Sequence, residues 1–198
     1  MNNDLTYHII YKPFGMLSQF SAEGDKRTLA ALSDFPKDVY PVGRLDSDSE
    51  GLLILTNDKE LNHRLLNPKF KHRRTYLAQV EGKVTSEAIT DLTNGVAITI
   101  DGKIYQTLPA QAMLLPVEPI VPERNPPIRF RKNIPTSWLE LTLHEGKNRQ
   151  VRKMTAAVGF PTLRLIRKSI EGIELGDMQP GDVKELPKEM ISRLLFRK

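Results

Sequence analysis

Hydrophobic and polar positions change rhythm several times along the chain, and the changes predict short strands alternating with short helices. "YHIIY" predicts a strand running into the turn "KPFG", and the apolar run "LLILT" predicts a second, largely buried strand. In "DKELNHRLLN" the spacing places Leu61, Leu65 and Leu66 on one helical face, with Asn57 or Asp58 as cap and Pro68 as terminator. "RRTYLAQVEG" alternates as a strand does, so Tyr76, Ala78 and Val80 share a face. A helix over "TSEAITDLTNG" is opened by Thr85 or Ser86 and closed by Gly95. "VAITIDGKIYQT" carries a hairpin signature, with Asp101 and Gly102 in the tight turn.

From Pro116 to Pro135 six prolines interrupt the chain, predicting a long surface loop, because strand-like "WLELTL" resumes directly afterwards. The role of this basic, proline-rich segment is not legible in its residues. "NRQVRKMTAAVG" predicts a helix capped by Asn148 and ended by Gly159, with Val151, Met154 and Val158 facing inward. Strands "TLRLIRKSI" and "DVKEL" precede a terminal helix that starts at Pro187. Strands outnumber helices and no repeat is present, which implies an α+β fold: a mixed, mainly antiparallel sheet with flanking helices, residues 1–198 forming two lobes around a central cleft.

At 198 residues the chain can bury a substantial core without staples. With no cysteine it has neither disulfides nor thiolate metal sites, and a reducing cytoplasm is the expected compartment. No apolar run reaches membrane-spanning length, and "MNNDLTYHIIYKP" lacks the pattern of a signal peptide. The formal charge of +5 is a weak hint of a polyanionic partner. Its distribution says more: basic residues gather in "KFKHRR", "RNPPIRFRK", "GKNRQVRK" and "RLIRK". Any one cluster is readily a solvated face, but four together favour a groove that tracks phosphates.

"GRLDSDSEGLLILTND" opens like a calcium-binding loop, with Asp46, Asp48 and Glu50 at alternate positions and Gly51 behind them. That reading fails at the twelfth position, which is the neutral Asn57, and at both flanks, where helices should stand. His8, His63, His72 and His144 are scattered without ligand spacing, so no metal and no cofactor are expected. Arg44, two residues before Asp46, can hold that carboxylate ionised where water is scarce; an ordinary salt bridge bracing a turn is the rival reading. Asp48 and Glu50 are expected to face solvent as loop residues rather than form an acid/base pair.

The four segments "YKPFGMLSQF", "GRLDSDSEGLLILTND", "RRTYLAQVEG" and "LHEGKNRQVRKM" resemble, in order, the motifs of the RsuA-type ribosomal RNA pseudouridine synthases. The resemblance implies the pseudouridine synthase fold and isomerisation of uridine to pseudouridine in RNA. It also implies roles: Asp46 as the catalytic carboxylate, Tyr76 against the target uracil and assisting proton transfer at C5, and Arg152 as the partner of Asp46 in the cleft. Arg44 is implied to handle the displaced nucleotide or the RNA backbone. Arg73, Arg74, Lys147, Arg149, Lys153, Arg164, Arg167 and Lys168 are the expected RNA contacts. Tyr76 as a plain core aromatic, and Arg152 as cover for a helix face, remain open on the residues alone.

Relatives commonly carry an S4 RNA-binding module before the first motif, whereas that motif here begins within the first dozen residues, so no S4 module is expected. Ser49 replaces the usual threonine, and Arg149 a common histidine. The segment "GKNRQVRKMTAAVGFPTLRLIR" most resembles the RluE branch, which implies a uridine of 23S ribosomal RNA near the peptidyl transferase centre as target. Ribosomal RNA, free or in an assembling large subunit, is the expected partner; no obligate protein partner is evident and a monomer is expected. A non-catalytic RNA-binding assembly factor on the same fold is the competing reading. A glycoside hydrolase using Asp46 and Glu50 is disfavoured, since carboxylates four residues apart in one turn cannot readily straddle a sugar.

Overall fold

The computed structural model describes residues 4–128, 131 and 134–196. Part of the basic cluster "RNPPIRFRK", namely residues 129, 130 and 132, therefore lies outside the described residues. In chain order the strands are β1 (Tyr7–Lys12), β2 (Tyr40–Pro41), β3 (Glu50–Thr56), β4 (Arg74–Glu81), β5 (Ala97–Ile100), β6 (Lys103–Gln106), β7 (Gln111–Leu114), β8 (Thr136–Leu143), β9 (Thr162–Ile170), β10 (Ile173–Glu174) and β11 (Val183–Glu185). The helices are α1 (Lys59–Leu66), α2 (Ser86–Asn94), α3 (Gln150–Ala157) and α4 (Lys188–Phe196). The chain divides into two compact units, Met1–His72 with Arg167–Lys198, and Arg73–Ile166. This is an α+β fold with a mainly antiparallel sheet.

In the first unit the strand order is β11, β1, β3, β9, with β2 added to β3 and β10 to β9. β1 pairs antiparallel with β3 from Tyr7 opposite Thr56 to Lys12 opposite Gly51. With a neighbour on each side, every residue of β3 is buried. Ile10, Leu53 and Leu55 join Met16, Leu29 and Val39 in one apolar cluster, against which Phe20, Leu32 and Phe35 pack. Asp58 caps α1, its carboxylate accepting from the Glu60 and Leu61 amides. Leu61 and Leu65 are buried as expected, but Leu66 is exposed: an eight-residue helix lying on one side presents a narrow stripe, and Leu66 falls outside it.

In the second unit the order is β9, β4, β8, β7. β4 and β8 pair antiparallel from Arg74 opposite Leu143 to Glu81 opposite Thr136. Tyr76, Ala78 and Val80 are all buried, and so is Leu77 between them, because β4 is central rather than at an edge. Thr85 caps α2 and Gly95 ends it at φ +89°. The β5–β6 hairpin turns through Asp101 and Gly102, both with positive φ. Asn148 is not the cap of α3. Arg149 takes that place in the left-handed region at φ +51°, with no side-chain cap, while the Gln150 side chain turns back to accept from the Lys147 amide.

Candidate active site

Two short loops of the first unit meet around Asp46. The end of β1 and the segment after it carry Lys12 to Ser18, and the segment before β3 carries Arg44 to Ser49. Lys12 is fully buried, and its ammonium donates to the Pro13 carbonyl at 2.9 Å and the Met16 carbonyl at 2.7 Å, curling the intervening turn around itself. The Gly15 amide then donates to the Ser47 carbonyl at 2.7 Å. The Ser18 hydroxyl donates to the Leu45 carbonyl at 2.7 Å and accepts from the Leu45 amide at 3.0 Å. Both chain neighbours of Asp46 are thereby bound to the first loop, and the Asp46 carbonyl accepts from the Ser49 amide at 3.0 Å. Asp46 itself is half-buried, Leu45 buried and Arg44 exposed.

Charge is concentrated beneath this loop. Burial pushes the Lys12 ammonium down to about 8; Glu50, Asp48 and Asp46 oppose the shift, and Arg167 adds to it. Glu50 contradicts the expectation of a solvent-facing residue, being only 1 % exposed. It opens a strand enclosed on both faces, and the Lys12 cation makes its burial tolerable. The chain leaves the Asp46 loop as that buried strand and not as a helix, so the calcium-loop likeness ends at Glu50. Among the described residues, no three His, Asp or Glu side chains form a group able to hold a metal ion.

In the second unit Tyr76 stands on β4, 9 % exposed, and Arg152 on α3 is half-buried with Nη1 donating to the Thr162 carbonyl at 3.3 Å. The β4–β8 register sets Arg74 beside Leu143, and its guanidinium lies next to Gly146. Arg74, from one basic cluster, thus lies beside Gly146 at the head of another, whose Lys147, Arg149 and Lys153 follow around the start of α3. Buried Glu145 ties this region down by accepting from the Tyr105 hydroxyl, the Leu108 amide at 2.8 Å and Gln150 Nε2 at 2.6 Å. The bond to Glu145 pushes the Tyr105 phenol up, and Lys147 Nζ sits 4.8 Å from the centre of the Tyr105 ring.

Not every expected RNA contact faces outward. Arg164 and Arg167 are 6 % and 4 % exposed, with guanidinium bonds to the Pro122 and Leu52 carbonyls, at 2.8 Å and 2.7 Å. They serve as internal ties, because successive residues of a central strand have little open face to offer. Lys168, next along β9, is half-buried. Lys12, Ser18, Glu145 and Gln150 were not singled out from the sequence. The only signal for them was their membership of the first and last motif segments.

Among the described residues, no helix is long and apolar enough to cross a membrane. A family model described as RNA pseudouridylate synthase matches residues 6–157. The chain is 51 % identical to "Ribosomal large subunit pseudouridine synthase E" of Vibrio parahaemolyticus over 90 % of its own length and 72 % of that protein's. It is also 51 % identical to the protein of the same name from Xanthomonas axonopodis pv. citri, over 87 % of its length and 89 % of the relative's. A solved structure described as "Crystal structure of pseudouridylate synthase" superposes with a TM-score of 0.78 at 26 % identity, covering 97 % of this chain and 74 % of that one. With the motif segments in order, the family model over three quarters of the chain and relatives at half identity, the chain belongs to the RNA pseudouridylate synthase family.

Proposed function

We propose that this protein isomerises a specific uridine of 23S ribosomal RNA to pseudouridine, in the cytoplasm, with Asp46 as the catalytic carboxylate. The observation that supports the target is the name shared by the relatives at half identity, "Ribosomal large subunit pseudouridine synthase E". The reaction breaks the bond between the sugar and N1, turns the uracil, and rejoins the sugar to C5; C5 loses a proton and N1 gains one. Nothing is oxidised and no group leaves. Asp46 either adds covalently to the sugar or base, or removes a proton from the sugar, and both routes need an ionised, immobilised carboxylate. The loop's backbone is bound on both sides of Asp46, which supports its being held in place.

Tyr76 is assigned to the face of the uracil and to proton transfer at C5, Arg152 to holding the Asp46 carboxylate, and Arg44 to the displaced nucleotide. Arg73, Arg74, Lys147, Arg149 and Lys153 are assigned to phosphates of the surrounding RNA, supported by their charge and by Arg74 lying beside Gly146 at the head of the second cluster. The target base must leave its stack to be turned, so phosphate contacts have to hold the flanking strand meanwhile. Asp46→Asn tests the reading: tritium release from C5-labelled uridine in 23S RNA fragments should fall to background while RNA affinity stays within a factor of about two. Sustained turnover by this variant would remove Asp46 from its role.

A further inference from the structure

We propose that Ser18 is a positioning residue for Asp46: its single hydroxyl clamps the Leu45 peptide unit on both its N–H and C=O sides and so fixes the direction in which the next residue projects its carboxylate. This rests on the reading of Asp46 as the catalytic group. A serine hydroxyl has one proton to give and lone pairs to receive, and here it uses both on the same residue, donating to the Leu45 carbonyl at 2.7 Å and accepting from the Leu45 amide at 3.0 Å. Ser18 is 6 % exposed and Leu45 7 %, so water has little access to replace either bond. One residue beyond Asp46, the Ser47 carbonyl is held by the Gly15 amide at 2.7 Å. Asp46 is therefore the middle residue of a three-residue stretch whose outer members are both bound to one loop.

That loop is itself immobilised. The Lys12 ammonium binds the Pro13 and Met16 carbonyls from inside the turn, Met16 is buried in the apolar cluster, and the Leu17 amide donates to the Arg27 carbonyl at 2.9 Å. No regular strand or helix holds residues 44–49, so the path of the backbone through Asp46 is set by contacts of this kind. The hydrogen bonds of the Ser18 hydroxyl to Leu45 are made by a side chain, so they can be deleted without touching the backbone. Misplacing a catalytic group by about 1 Å costs about a hundredfold in rate.

The test compares Ser18→Thr with Ser18→Val, which have the same shape and differ by the hydroxyl, alongside Ser18→Ala and Asp46→Asn. Each full-length variant is assayed for its single-turnover rate at saturating 23S RNA fragment, its affinity for that fragment and its thermal midpoint. Ser18→Thr should run at least about tenfold faster than Ser18→Val at matched thermal midpoints, with RNA affinities equal within about twofold, and Ser18→Ala should resemble Ser18→Val. Equal single-turnover rates for the Thr and Val variants, beside an inactive Asp46→Asn, would overturn the clamp and leave the Asp46 reading standing. Turnover by Asp46→Asn would overturn both. A loss confined to RNA affinity would also overturn the clamp, since the hydroxyl would then be serving the interface.

Discussion

Replacing Gly51, at the start of β3, by alanine should destabilise the fold by about 2–5 kcal/mol, more than the same change at Gly43 in the segment before that strand. Gly51 sits at φ +108°, and a methyl group there would stand 2.4 Å from the Arg167 carbonyl oxygen and 2.6 Å from the Arg167 nitrogen. These are backbone atoms of β9, so no side chain can swing aside. Two costs combine: about 1–2 kcal/mol for holding an L side chain at positive φ, and about 1–3 kcal/mol for pushing packed backbone apart. Urea titration of the full chain should show the midpoint falling by about 0.7–2.5 M with an unchanged slope, taking a slope of about 2–3 kcal/mol/M. Gly24→Ala is the control, since Gly24 has φ +57° but nothing within 4 Å of the added methyl, and it should lose only the backbone part. If Gly51→Ala and Gly24→Ala shifted the midpoint equally, the close approach of β3 to β9 would not be the reason for glycine at this position.

Three further outcomes are expected. The double substitution Arg73→Gln with Arg74→Gln should weaken RNA binding and flatten the slope of log affinity against log salt by about one unit for each phosphate no longer neutralised; an unchanged slope would mark the pair as a solvated face. On an RNA whose structure survives chelation, activity should persist in EDTA, and loss in EDTA with recovery in calcium would restore the calcium-loop reading of Asp46 to Gly51. Lys12, pushed from its ordinary 10.5 to about 8, binds fewer protons in the native than in the unfolded chain between those values, so stability rises with pH across that window. Below about 8 both states carry the proton, and the buried cation costs about 3 kcal/mol relative to its neutral form. The stability difference between wild type and Lys12→Met should therefore move by that amount in favour of wild type from pH 8 to 10.5, and a pH-independent difference would refute the assignment.

What the sequence determined by itself was whatever depends on near neighbours in the chain. Asp58 and Thr85 cap helices because their side chains reach amides two or three residues away, and the Asp101–Gly102 turn needs only two residues that accept positive φ. The α+β class came from the same local rhythms, and the family from four motif segments in order. What only the tertiary structure decided was the fate of residues whose partners are remote. β7 has no alternating pattern in "QAML" and is a strand because the edge of β8 lies beside it. Arg149, not Asn148, precedes α3, since Gln150 is drawn to Glu145 and to the Lys147 amide. Glu50, Arg164 and Arg167 look like surface residues by type, yet sit inside because a lysine far back in the chain or a distant carbonyl compensates their burial. The Asp46 loop shows the division most plainly: its residues form a recognisable motif segment, but Ser18 and Gly15, which hold it, are joined to it only by folding. Local propensity acts over a turn of chain, whereas charge compensation and hydrogen-bond satisfaction act through space, and a buried site is made of the second kind.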